Sequence, residues 1–118
     1  MSEKVRSLAN SIFRLVLINE GWSVESASEF EITVNEFESS AGGAFIYVSP
    51  VHGEFPSQMI RKKGLGLSID LHDKLNDVLC GCLVVVESRR DGDIEVFPQG
   101  NQIFDLNSCV VVNEETQT

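Results

Sequence analysis

The sequence predicts an α+β domain of two layers, in which a mainly antiparallel five-stranded sheet carries two helices on one face. Apolar residues change from a helical period to a period of two near residue 29, and the strand-like segments that follow are joined by short turns. The predicted order is helix, two strands, long loop, helix, three strands. With 118 residues and 42% apolar content, the chain has room for one folded domain. We expect this domain to span 1–113, followed by a frayed polar tail at 114–118.

The N-terminal half contains the clearest periodicity. Ser2 can cap a first helix whose apolar residues recur on one face until Gly21 stops it. From residue 29 three apolar residues alternate with polar ones, which predicts a half-buried strand: Phe30, Ile32 and Val34. A turn-rich segment leads to a second strand at 44–49, so the two strands should form an antiparallel hairpin.

The C-terminal half begins with a long connection at 50–67. Five Pro and Gly residues interrupt it, and we expect it to be a mobile functional edge of the domain rather than part of the core. Ser68 can cap a second helix that ends at Cys80, because the apolar residues keep helical spacing there. Three strands follow, at 83–86, 94–97 and 103–112.

The charge distribution restricts the classes of partner. Eighteen acids against nine bases give a net charge of -9, which repels phosphates and anionic headgroups. We therefore expect neither nucleic acid nor a membrane surface as a partner. Between Arg14 and Arg61 seven glutamates face no Lys or Arg, so a basic protein could be steered to this region.

The cysteine count and the early apolar stretch indicate a cytoplasmic protein. Three cysteines, an odd number, fit a reducing compartment better than a disulfide scaffold. The stretch 12–18 is interrupted by Arg14 and is shorter than the roughly 20 residues that a membrane span requires.

Neither a metal site nor a catalytic site is expected. Cys80, Cys82, Cys109 and His72 are the residue types of a zinc site, but a one-residue gap between two thiols does not suit tetrahedral coordination. Cys80 at the end of a helix would also be a poor nucleophile, since the helix dipole disfavours a thiolate there. We predict no cofactor, no metal and no catalytic residue.

The long loop provides a second group of candidate residues. His52 lies two positions from Glu54, a pair without a nucleophile. Arg61, Lys62 and Lys63 form a basic cluster before two glycines, although a phosphate loop requires the lysine after the last glycine. The cluster either docks onto the acidic edge of a neighbouring subunit or stays in water.

The face of the sheet opposite the helices is the main candidate binding surface. Alternation directs five apolar side chains away from the helices: Phe45, Tyr47, Leu83, Val85 and Phe97. Four acids are expected around them: Glu29, Glu31, Glu87 and Glu95. An apolar patch of this kind is typical of an interface.

These observations lead us to expect a non-catalytic acidic binding domain. Self-association as a homodimer is one use of the patch, and the masking or inhibition of a basic protein partner is another. A small hydrophobic or cationic ligand is the alternative, held by aromatic faces and a carboxylate. An enzyme is the class with the least support.

Overall fold

The computed structural model describes residues 3–40, 42–100 and 102–112. Within these ranges the chain forms two α-helices and six β-strands. The helices are α1 (Glu3–Asn19) and α2 (Val24–Glu29). The strands are β1 (Ile32–Ser40), β2 (Gly43–Pro50), β3 (Asp70–Asp73), β4 (Val78–Val86), β5 (Gly92–Pro98) and β6 (Cys109–Val111). The α+β class with an antiparallel sheet is confirmed, although the sheet has six strands rather than five.

The strands form one sheet in the order β1-β2-β5-β4-β3-β6, and every neighbouring pair is antiparallel. The long helix α1 packs on one face, which we call the inner face. Its buried side chains join alternate residues of the strands in a single core. The strands β1 and β6 lie at the two edges.

The first helix follows its sequence signals closely. Its apolar rows are buried, and Gly21 adopts a positive φ of 99° just after the last turn. The short α2 was not predicted. Ser23 caps it, because its hydroxyl accepts a hydrogen bond from the Ser26 amide at 3.1 Å. Neither helix, as far as the chain is described, is long and apolar enough to cross a membrane.

The predicted second helix at 68–80 is wrong. In its place β3 and β4 form an antiparallel hairpin. The spacing of Leu71, Leu75 and Val78 fits one face of a helix, but Leu75 lies in the connecting turn and is 72% exposed. Leu71 and Val78 reach the core from facing strands, and Asp77 completes the turn with a positive φ of 55°. Strand pairing has therefore overridden a local helical pattern.

The buried carboxylate of Asp73 holds this turn against the segment before β6. It accepts hydrogen bonds from the Leu75 amide at 2.9 Å, the Asn76 amide at 3.3 Å, the Asn76 side chain at 2.8 Å and the Asp105 amide at 2.7 Å. Burial alone raises the pKa of a carboxyl group, but these hydrogen bonds outweigh it, and the pKa of Asp73 lies below its ordinary value.

The expectation that the loop at 50–67 is not part of the core is wrong as well. Three of its apolar side chains are buried in the core: Phe55, Met59 and Leu65. The backbone runs beside β4, since the Arg61 amide donates to the Val86 carbonyl at 2.8 Å and the Val84 amide donates to the Leu65 carbonyl at 2.8 Å. Proline and glycine exclude regular structure here, but they do not prevent packing.

The side chain of Phe55 is the main anchor of the loop. Its ring stacks on Phe13 of α1, with centroids 5.5 Å apart, and contacts Phe30 at 6.0 Å. A Cβ atom at Gly92 would lie 3.2 Å from the Phe55 ring, so the ring packs directly on this glycine. The Phe55 amide also donates to the Arg89 carbonyl at 2.7 Å.

The last predicted strand, at 103–112, is shorter in the structure. Only Cys109–Val111 pair with β3, and a 3₁₀ turn at Leu106–Ser108 precedes them. Asp105 caps that turn by accepting from the Asn107 amide. The predicted tail at 114–118 lies outside the described residues.

We expect Asp73→Asn to lower the free energy of unfolding by about 1–3 kcal/mol, because an amide nitrogen would face backbone donors in a buried site. Urea unfolding at neutral pH measures the change. Asp70→Asn, on the exposed side of the same strand, is the matched control. Equal midpoints for the two variants would contradict the role of Asp73.

The same carboxylate makes stability depend on pH. Its folded pKa is lowered, so its contribution is present above the unfolded pKa of about 3.9 and is lost as the pH falls through the folded value. We expect the difference between the wild type and Asp73→Asn to shrink in that acidic window. A difference that stays constant down to the acid transition would show that ionisation is not involved.

For the loop, we expect Phe55→Ala to cost about 3 kcal/mol of stability, because it removes a buried ring. Replacing Arg61, Lys62 and Lys63 together by Ala should cost no more than about 1 kcal/mol, since these side chains are exposed. Denaturant midpoints of both variants test the anchoring. A larger loss of stability in the triple variant than in Phe55→Ala would show that Phe55 does not anchor the loop.

Candidate functional site

The candidate site is the face of the sheet turned away from α1, which we call the open face. Five apolar side chains expected there from the sequence point to this side: Phe45, Tyr47, Leu83, Val85 and Phe97. Leu79 of β4 lies on the same side and is 50% exposed, and Phe45 is 41% exposed. The open face is therefore considerably more apolar than a solvated sheet surface usually is.

Strand pairing arranges acidic and apolar side chains in alternating rows across the open face. One row runs across four strands as Glu38, Phe45, Glu95 and Leu83. The next row runs as Glu36, Tyr47, Asp93 and Val85. Directly paired side chains in an antiparallel sheet have Cβ atoms about 5 Å apart. Phe45 and Tyr47 consequently each lie between two acidic residues of the neighbouring strands.

A β-bulge places Glu36 and Glu38 on this face. The register of β1 against β2 shifts between Val34 and Glu36, so Asn35 is an extra residue. Before the bulge Val34 points to the core, and after it Phe37 points inward. Regular alternation from Val34 would have turned both glutamates to the inner face, which is why sequence reasoning missed them.

The four acids expected at the rim have different positions in the structure. Glu95 is half-buried in the centre of the open face, and Glu87 follows the end of β4. Glu29 is the last residue of α2, and Glu31 precedes β1 with its carboxylate 3.9 Å from the guanidinium of Arg6 on α1. Glu29 and Glu31 are therefore not part of the open face.

Phe97 depends on a glycine in the neighbouring strand. Gly81 is its cross-strand partner, and a Cβ atom built there would lie 2.8 Å from the Phe97 ring. The ring therefore lies directly over Gly81. This packing explains a glycine in the middle of a long apolar strand.

The open face has acidic charge without basic residues in its strands. The six described strands contain no Lys or Arg. Burial, together with the charges of Glu87 and Glu95, raises the pKa of Asp93. Burial and the nearby carboxylates of Glu38, Asp93 and Glu36 likewise raise the pKa of Tyr47. The Asp93 carboxylate is thus held where partial burial and like charges both disfavour its ionised form.

The candidate residues of the loop do not form a site with the open face. His52 is exposed, and the Glu54 carboxylate lies 4.0 Å from the guanidinium of Arg89. Lys62 makes an ion pair with Glu20 at the end of α1. Arg61 and Lys63 are exposed on the same segment. The pair of Lys62 with Glu20 gives the basic cluster a structural contact within the chain.

The thiols are separated from the open face because they point to the core. Cys80, Cys82 and Cys109 are all buried. Cys80 lies in β4 rather than at a helix end, and a hydrogen bond with the Cys109 thiol outweighs burial and lowers the pKa of Cys80. Burial, with a smaller effect of the Asp70 charge, raises the pKa of Cys82 to about 12. In the described part of the chain no group of three or more His, Cys, Asp or Glu residues could hold a metal ion.

A second depression lies between the start of α1 and β6. This groove has a volume of 660 Å³, and Lys4, Leu8, Lys74 and Val110 are among its lining residues. Glu3 and Val111, which also line it, lie at or beside the two ends of the described part of the chain. The groove is separate from the open face, because none of the apolar side chains named above for that face lines it.

We expect Asp93→Asn to raise the free energy of unfolding by about 0.5–1 kcal/mol, because it removes a carboxylate held among like charges. The raised pKa sets the sign of the pH dependence. The gain over the wild type should be full at neutral pH, should shrink as the pH falls through the folded pKa of Asp93, and should vanish below the unfolded pKa of about 3.9. Urea unfolding across this pH range measures it, with Asp70→Asn as control. A destabilised Asp93→Asn would contradict the prediction.

Comparison with protein-family models, with curated proteins and with solved structures finds no match to this chain. Similarity to proteins of known activity therefore carries no weight here. The geometry and charge of the open face remain as the basis for assigning a function.

Proposed function

We propose that the chain is a binding domain whose open face holds a basic protein partner. The observation that carries this proposal is the alternation of the exposed Phe45 and the half-buried Tyr47 with acidic side chains, across strands that contain no Lys or Arg. Aromatic side chains anchor protein interfaces, and complementary charge speeds association and selects the partner. A surface with both properties favours a partner that is basic and partly apolar.

Charge favours a basic partner over a second copy of the chain. A homodimer formed through the open face would bring Glu36, Glu38, Asp93 and Glu95 of both copies together. Like charges placed opposite each other across an interface are costly. The homodimer expected from the sequence is therefore the less favoured use of this face.

The shape of the surface favours a protein segment over a small molecule. Four strands span about 14 Å, and the rows from Leu79 to Val85 span about 20 Å. Small-molecule sites are concave and enclose most of the ligand. An extended sheet surface instead suits a segment of several residues.

The proposed function also explains an unfavourable feature of the fold. The carboxylate of Asp93 has a raised pKa because it lies half-buried near Glu87 and Glu95. A Lys or Arg side chain from a partner would neutralise this cluster. Binding of such a partner would therefore raise the free energy of unfolding of the domain.

Binding of a lysine-rich peptide tests the proposal. The probe is a fluorescent peptide of alternating Lys and Val, and anisotropy measures its dissociation constant at about 0.05 and 0.5 M salt. We expect Glu38→Gln with Glu95→Gln to weaken binding about tenfold, and salt to weaken it further. Glu25→Gln with Glu54→Gln is the matched control, because it removes the same charge from exposed positions outside the open face.

Two results would count against a basic partner. Equal loss in the two double variants would mean that net charge, rather than the open face, attracts the peptide. Light scattering at high micromolar concentration examines self-association. A wild-type dimer that Phe45→Ser converts to a monomer would assign the open face to a second copy of the chain.

A further inference from the structure

The strand β1 has an unpaired edge. Within the described residues it pairs with β2 alone, and the side chains from Glu36 to Ser40 are exposed except for the half-buried Phe37. Natural edge strands are commonly protected by Lys, by Pro or by a bulge. The strand β1 contains a bulge at Asn35, but neither Lys nor Pro.

Only the start of this edge is covered. The Asn10 side chain of α1 accepts from the Ile32 amide at 2.9 Å and donates to the Ile32 carbonyl at 3.1 Å. A side-chain amide thus takes the place of a peptide group from a neighbouring strand. These two bonds also show that the peptide groups of Ile32 point away from β2.

Beyond the bulge, the edge groups belong to Phe37 and Ser39. Two residues connect Ser40 to Gly43, and such short hairpins close on a hydrogen-bonded pair. Hydrogen-bonded and non-hydrogen-bonded pairs then alternate along an antiparallel ladder. The backbone groups of Glu36 and Glu38 therefore face β2. The peptide N–H and C=O groups of Phe37 and Ser39 point away from the sheet. No described residue supplies a backbone partner for them.

The side chains beside these groups select the strand that could be added. Glu36 and Glu38 stand on the open face at this edge, next to Tyr47 and Phe45. A second copy of β1 would bring its own glutamates to the same place, which is unfavourable. A strand with basic residues at alternate positions would face both glutamates with opposite charge.

We propose that an extended basic segment of the partner adds to β1 as a further strand, pairing with the peptide groups of Phe37 and Ser39. This inference rests on the proposed function and adds a binding mode to it. Main-chain hydrogen bonds supply part of the affinity in strand addition, and alternate side chains supply specificity. The basic residues of the segment lie two positions apart and extend the two rows of the open face.

The first test changes the edge without changing the open face. Ser39→Pro removes one outward N–H, a position that an edge strand tolerates, while Ser39→Ala keeps it. We expect Ser39→Pro to weaken the alternating Lys-Val peptide about tenfold and Ser39→Ala to bind like the wild type. A peptide of the same composition with its lysines in one block should bind the wild type more weakly.

Amide hydrogen exchange keeps the inference testable if Ser39→Pro unfolds. The alternating peptide should slow exchange at Phe37 and Ser39 of the wild-type chain. Unchanged exchange at both amides in the saturated complex would overturn strand addition.

The outcomes separate the two proposals. If Ser39→Pro binds normally while Glu38→Gln with Glu95→Gln loses affinity, the open face binds the peptide without an added strand, and this inference fails alone. If the wild type binds neither peptide, the proposed function and the added strand both fail. Loss of affinity in both variants, with protection at Phe37 and Ser39, supports both.

Discussion

The packing of α1 on one side of a single antiparallel sheet is the constraint on which the rest of the structure depends. Because strand side chains alternate, covering one face commits every second residue to the core and every other residue to the open face. The buried rows of α1 share one core with alternate apolar residues of all six described strands, so a change of register in any strand would move apolar groups out of the core. The composition of the open face is thus a direct consequence of how the inner face is covered.

Two local devices adjust this arrangement. The bulge at Asn35 reverses the alternation of β1, which turns Phe37 inward and presents Glu36 and Glu38 beside the aromatic side chains of β2. The glycine at position 81 lets the Phe97 ring pack against the backbone of the neighbouring strand. Both devices shape the open face: the bulge adds acidic side chains beside the aromatic ones, and the glycine makes room for the Phe97 ring.

The anchored segment between β2 and β3 shows how a chain rich in Pro and Gly can still be part of the core. Phe55 stacks on α1 and covers Gly92, while Leu65 bonds to the backbone of β4. On the open face the balance is different, because Asp93 keeps a carboxylate among like charges at a cost to stability. An unfavourable carboxylate beside aromatic groups agrees with the binding function that we propose for this face.

Local sequence was sufficient for the features that depend on periodicity alone. It determined the α+β class, the helix α1, the hairpin of β1 and β2, and the apolar side chains Phe45, Tyr47, Leu83, Val85 and Phe97, since alternation within a strand needs no knowledge of distant residues. Tertiary structure decided the rest. Leu71, Leu75 and Val78 fit a helix as well as a hairpin, and pairing with β6 and the buried bonds of Asp73 selected the hairpin. The bulge that exposes Glu36 and Glu38 exists because β1 must stay in register with β2 while Phe37 reaches the core, a condition set by the partner strand and invisible in the segment itself.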